Sequence, residues 1–174
     1  MILSSQTIRG LCQHEGPSGE SAAPMVWPFN ERTRHEGVTF GLSAAGYDVR
    51  VEFDEDGIQY ERLLENGQFL LASTIEEFHM PNDVVGIVHD KSTWARRGLA
   101  VQNTVIEPGW SGFLTLELTN HGPETLVIPR GCGIAQIVFH RLDHPTDQPY
   151  EGKYQAQRRG PVAAMSDTSG LSFE

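Results

Sequence analysis

In Phe113-Leu114-Thr115-Leu116-Glu117-Leu118-Thr119 every second residue is a leucine. Successive side chains of a strand point to opposite faces. Leu114, Leu116 and Leu118 therefore share one face, and Phe113, Thr115, Glu117 and Thr119 the other. The leucine face is core. Glu117 is the odd member of the second face, because glutamate is depleted in strands. Taken alone, an acid at such a position is more often exposed on an antiparallel sheet. With Phe113 and two threonines beside it, the same face can instead line a polar cavity.

Outward from this stretch, strand-like runs recur at residues 38–42, 47–53, 68–73, 84–89, 99–102, 113–120, 125–128 and 134–141. Gly57, Asn66-Gly67, His121-Gly122-Pro123 and Arg130-Gly131 fall between or beside them as turn residues. Many short strands joined by such turns predict an all-β barrel or jelly roll rather than alternating strands and helices. A short helix is expected at residues 7–12, a loop at 15–28, and a mobile tail over 160–174, where small and polar residues offer little to pack. The chain of 174 residues reads as one domain, 1–174, without an internal repeat.

Composition limits the partners. Asp and Glu number 23 against 13 Lys and Arg, a formal net charge of −10. Such a surface repels a nucleic-acid backbone, so no nucleic acid is expected as partner. The bases are nevertheless bunched, Lys91, Arg96 and Arg97 in one segment and Lys153, Arg158 and Arg159 in another. These read as solubility charges or as two clusters converging on one small polyanion. Neither Cys12 nor Cys132 belongs to a C-x-x-C pair, which argues against a disulfide scaffold or a structural zinc cluster. No apolar run approaches the roughly 18 residues of a membrane span, and Met1-Ile2-Leu3-Ser4-Ser5-Gln6 does not look like a secretory signal. A soluble, cytoplasmic protein with no membrane partner is the expectation.

The segment Asp90-Lys91-Ser92-Thr93-Trp94-Ala95-Arg96-Arg97-Gly98 predicts one helical turn, capped by Asp90 or Ser92 and stopped at Gly98. Ser92 and Arg96, four apart, share a face of it. A half-buried carboxylate such as Glu117 can act as general base and then general acid on a water. Ser92 could orient that water, and Arg96 could hold the glutamate or neutralise a phosphate. Together these fit hydrolysis of a small anionic substrate. The zinc-deaminase pattern, H-E-x-x-H, the Walker loop and G-x-S-x-G are all missing from the sequence. His14-Glu15 and His35-Glu36 read as surface pairs, and Cys132 as a packing residue.

The chain resembles the dCTP deaminase branch of the dUTPase superfamily along nearly its whole length. The resemblance is carried by Met1-Ile2-Leu3-Ser4, Gly46-Tyr47-Asp48-Val49-Arg50, Phe69 to Thr74 with Met80-Pro81, the K-S-T-x-A-R turn from Lys91 to Arg96, Ile106 to Gly112, Leu116 to Asn120, and Tyr150, Lys153-Tyr154, Gln157 and Gly160-Pro161-Val162. It implies a distorted jelly-roll, dUTPase-like β-barrel forming a homotrimer with active sites shared between subunits. The implied reaction is zinc-independent, converting dCTP to dUTP and ammonia, with magnesium carried by the phosphates. By the same resemblance Glu117, Ser92 and Arg96 are catalytic. Lys91, Thr93, Lys153 and Gln157 serve the triphosphate or base, Tyr150 lines the nucleotide pocket, and Glu107 stands where the family has aspartate.

Two departures leave alternatives open. Lys91 replaces the family's arginine and cannot make a planar bidentate phosphate contact. The loop at residues 100–106 is closer to that of dUTPases. The alternatives are a bifunctional enzyme that also cleaves dUTP to dUMP, a deaminase of dCMP or a modified cytosine nucleotide, and a non-catalytic nucleotide-binding regulator.

Overall fold

The computed structural model describes residues 1–13 and 23–166. Two helices, α1 (Ser5–Gln13) and α2 (Ser92–Ala95), accompany twelve strands. The strands are β1 (Val26–Trp27), β2 (Thr33–His35), β3 (Val38–Ser43), β4 (Gly46–Glu52), β5 (Glu61–Leu64), β6 (Phe69–His79), β7 (Val84–Asp90), β8 (Leu99–Val101), β9 (Val105–Ile106), β10 (Ser111–Asn120), β11 (Leu126–Pro129) and β12 (Gly133–Arg141). Ten of them form one sheet ordered β8-β10-β6-β4-β12-β7-β9, with β1 on β6 and the β2–β3 hairpin on β4. β5 and β11 pair separately. The all-β, dUTPase-like jelly-roll reading holds.

The opening stretch behaves as its alternation requires. Leu114, Leu116 and Leu118 are buried, and Phe113, Thr115, Glu117 and Thr119 are partly accessible. Leu116 and Leu118 are fully enclosed, joining Tyr47, Val49 and Val51 of β4 and Phe139 of β12 in the core. Each such side chain contributes roughly 1.5–3 kcal/mol of burial. Ile8 and Cys12 of α1 pack into the same core.

The run expected at 68–73 extends to His79, and β6 carries a bulge. Phe113 pairs with Glu77 and Thr115 with Ser73, so the β6 stretch opposite has extra residues. Thr74 stitches this irregularity, its hydroxyl donating to the Glu76 carbonyl (2.6 Å) and accepting from Leu114 N–H (3.0 Å). Glu76 is turned inward onto Arg50, with Nε to Oε1 at 2.8 Å.

Other expectations need amending. Within the loop expected at 15–28, Val26 and Trp27 pair with Phe78 and Glu77 of β6, while residues 14–22 lie outside the described residues. Neither proposed residue caps α2. Asp90 turns its carboxylate to Val101 N–H (2.8 Å), and Ser92 is the first helical residue behind an N-cap at Lys91 that makes no side-chain capping bond. Gly98 does stop the turn, at φ +92°. Among the described residues, no helix is long and apolar enough to cross a membrane.

Candidate active site

Glu117 sits centrally in β10, opposite Leu71 of β6, and its carbonyl accepts Gln102 N–H at 3.0 Å. The side chain leaves that sheet toward a cavity of about 510 Å³. Its walls come from the start of β6 (Phe69, Leu71), from residues 104–110, from β10 and from the C-terminal segment. Burial pushes the Glu117 carboxyl above its ordinary pKa. Its Oε2 is cut off from solvent and has no hydrogen-bond partner, and the Thr104 hydroxyl on the same cavity is in the same state. A buried acceptor without a donor costs about 1–3 kcal/mol, so both atoms suit a ligand or water held between them.

The rim follows from local chemistry. Gly109, at φ +80°, lets residues 107–110 turn tightly, with Trp110 N–H donating to the Glu107 carbonyl at 3.1 Å. That turn places Glu107 on the cavity and also on a neighbouring cleft of about 370 Å³, which Tyr150 lines as well.

The C-terminal segment forms the roof. Trp110 Nε1 donates to the Tyr154 carbonyl (2.6 Å), and Phe113 N–H donates to the Gln157 carbonyl (2.9 Å). Thr115 Oγ1 accepts both Gln157 Nε2 and Val162 N–H, the latter at 3.1 Å. Met165 N–H donates to the Tyr154 hydroxyl at 2.9 Å. Residues 160–166, expected to be mobile, are thus partly tied to β10 and to the roof itself, and the rest of that tail lies outside the described residues. Arg159 and Arg158 anchor the segment through Glu52 and Glu55, each at 2.7 Å. These two arginines therefore tie the roof segment to Glu52 at the end of β4 and to Glu55 just beyond it.

Of the residues singled out from sequence, Glu117, Glu107, Tyr150 and Gln157 line the one cavity. Lys153 does not; its ammonium lies 5.4 Å from the centre of the Tyr154 ring. Ser92, Thr93 and Arg96 are exposed on α2 and do not line it either. Lys91 is buried, and its ammonium is engaged by Asp48, whose other oxygen accepts Gln136 Nε2 at 3.2 Å. Sequence reasoning passed over Thr104, Trp110 and Tyr154 as site residues. The Tyr154 position was visible in the tail motif, whereas Thr104 carried no signal. Both thiols are packing residues, pushed up to about 12 by burial.

Residues 39–142 match the family described as dCTP deaminase-like. A dCTP deaminase of Campylobacter lari is 39% identical over 159 residues, covering 76% of this chain and 86% of that protein. The chain belongs to the dCTP deaminase-like family. Among solved structures, a 2'-deoxycytidine 5'-triphosphate deaminase from Agrobacterium tumefaciens superposes with a TM-score of 0.59 at 19% identity, covering 82% of this chain and 48% of that one. A dUTPase from phage phi11 of S. aureus gives 0.50 at 19% identity, over 71% of this chain and 90% of the other. Both likenesses concern the fold.

Proposed function

We propose that this member of the family deaminates dCTP by direct hydrolysis, with Glu117 as general base and acid. The single observation that carries the reading is the unpartnered, buried Oε2 of Glu117 in a roofed cavity. A carboxylate raised by burial takes a proton and returns it more readily near neutrality than an exposed one. Water oxygen bonds to C4 of cytosine while its proton passes to Glu117, which delivers it to N3. The proton of the new C4 hydroxyl is then relayed to the exocyclic nitrogen. The C4–N bond breaks with its electron pair leaving on ammonia, and the C4 carbonyl of uracil forms.

Ser92, Thr93 and Arg96 enter through assembly. They stand exposed on α2 away from their own chain's cavity, which suits delivery into a neighbour's cavity in a homotrimer. There Ser92 orients the water, Arg96 steadies Glu117, and Thr93 meets phosphate. Lys91, held by Asp48, sets the position of α2 and reaches phosphate only as part of that pair. Tyr150, Gln157 and Lys153 close over the nucleotide.

Magnesium fits as the companion of the triphosphate. Among the described residues no group of three His, Cys, Asp or Glu gathers to hold an ion by itself, so the phosphates would supply most of its ligands. The same reading makes the deamination zinc-independent and puts the enzyme in the cytoplasm. Glu107, a second carboxylate at the rim, favours a further step in which dUTP is cleaved to dUMP.

Incubation with dCTP, dCMP and dUTP in magnesium, with products resolved by chromatography, tests the reading. Ammonia with dUTP is expected from dCTP. Pyrophosphate with dUMP would add the second activity. Three unchanged nucleotides would overturn the proposal in favour of a binding-only regulator.

A further inference from the structure

A separate pocket of about 300 Å³ lies on the polar side of β4, under the β2–β3 hairpin. Three arginines from three elements line it: Arg34 of β2, Arg50 of β4, and Arg130 just after β11. No carboxylate is among its lining residues. Three guanidinium groups thus face one pocket in a chain of net charge −10, two of them backed by buried carboxylates outside its lining.

The arginines are not equivalent. Arg130 is clamped on buried Glu52 by two bonds of 2.7 and 2.8 Å. Arg50 gives its Nε to Glu76, and its guanidinium carbon lies 4.8 Å from the centre of the Phe40 ring. Its Nη2 is shut off from solvent and has no acceptor. Arg34 is exposed and makes no side-chain bond or ion pair among the described residues. Glu52 and Glu76 thus offset two of three cations, and one guanidinium plus one buried donor are left over. The His35 ring, also facing the pocket, packs against Gly131, where an added Cβ would meet Cδ2 at 3.4 Å.

We propose that this pocket binds the phosphoryl group of a small molecule. A carboxylate is satisfied by one bidentate guanidinium, whereas a tetrahedral oxyanion can accept from several donors converging from different directions. Arg50 Nη2 supplies the preformed donor, Arg34 swings in as the mobile one, and Arg130 adds fixed positive charge. Tyr60, a highly exposed ring on the same pocket, offers a face for whatever the phosphate is attached to. The site is built from other residues than the Glu117 cavity and stands whether or not that cavity deaminates.

Calorimetric titration of the intact protein with inorganic phosphate, pyrophosphate and adenosine monophosphate tests this. Saturable binding of at least one is expected at millimolar concentration. It should weaken roughly tenfold or more in Arg34→Glu, a substitution of an exposed residue, and stay at wild-type strength in Glu117→Gln. If Tyr60→Ala weakens the nucleotide and not inorganic phosphate, the natural source is a phosphorylated ring compound; equal effects point to free phosphate. No saturable binding of any probe, or binding indifferent to Arg34→Glu, overturns the proposal.

Discussion

Gly112→Ala should lift the roof from the cavity. Gly112 has φ +127°, and a Cβ there would lie 2.5 Å from the backbone N and 2.6 Å from the backbone O of Gln157. Backbone cannot yield as a side-chain end can, so either β10 distorts or the C-terminal segment leaves. At Gly112, β10 is held in the sheet by its ladder with β6, Gly112 opposite Phe78, whereas the segment meets β10 there only through an isolated bridge between Gly112 and Gln157. The segment is therefore the part that gives. The bonds lost are Phe113 N–H to the Gln157 carbonyl, Gln157 Nε2 to Thr115, and Val162 N–H to Thr115. At about 1 kcal/mol net for each bond, the closed roof loses ~3 kcal/mol, roughly a hundredfold in the closing equilibrium. Amide hydrogen exchange reads this directly at Phe113 and Val162, which should lose protection by about that factor while Leu116 and Leu118 keep theirs. KM for dCTP should rise with it. Wild-type protection at Phe113 and Val162 in this variant would refute the reasoning.

Three further outcomes follow from the same geometry. Burial holds the Glu117 pKa above its unfolded value, so its contribution is favourable below about pH 4.3 and is lost as pH rises through the higher folded value. Glu117→Gln should accordingly melt at a higher temperature than wild type at pH 8, with the gap closing toward pH 4; a gap independent of pH in thermal scans would contradict this. Arg159→Ala removes one of two arginines on Glu52, and since Arg159 is itself partly exposed the expected loss is about 1 kcal/mol, seen in steady-state kinetics as a higher KM with little change in kcat. A zinc-selective chelator should leave turnover unchanged while removal of magnesium slows it; inhibition that zinc alone reverses would show a metal-dependent reaction centre.

The parts of the fold legible in the sequence are those with regular alternation. β10 follows its expected extent within a few residues because its faces alternate throughout, and β12 does so because it alternates over residues 135–140 beyond an irregular start at 133–135. The sequence marks only the first half of β6, because the second half carries the adjacent acids Glu76 and Glu77, of which Glu76 is buried in step with Ala72, Thr74 and Phe78. β1, β2, β5 and β9, of two to four residues each, carry too little pattern to register and are fixed by their partners. Within the site, Glu117 was visible as an acid on a threonine-flanked strand. Thr104 was not, because a threonine in a loop becomes informative only when the fold strands its hydroxyl on the same cavity as that acid. The engagement of Lys91 by Asp48 and of Arg159 by Glu52 was equally hidden, as each joins residues far apart in the chain.

The central claim is that the Glu117 carboxyl moves the proton that lets ammonia leave. Ammonia release from dCTP by wild type and by Glu117→Gln, with nucleotide binding to both followed in parallel, measures it most directly. The account predicts steady release from the first, none from the second, and binding by both. Release at the wild-type rate from Glu117→Gln would contradict it.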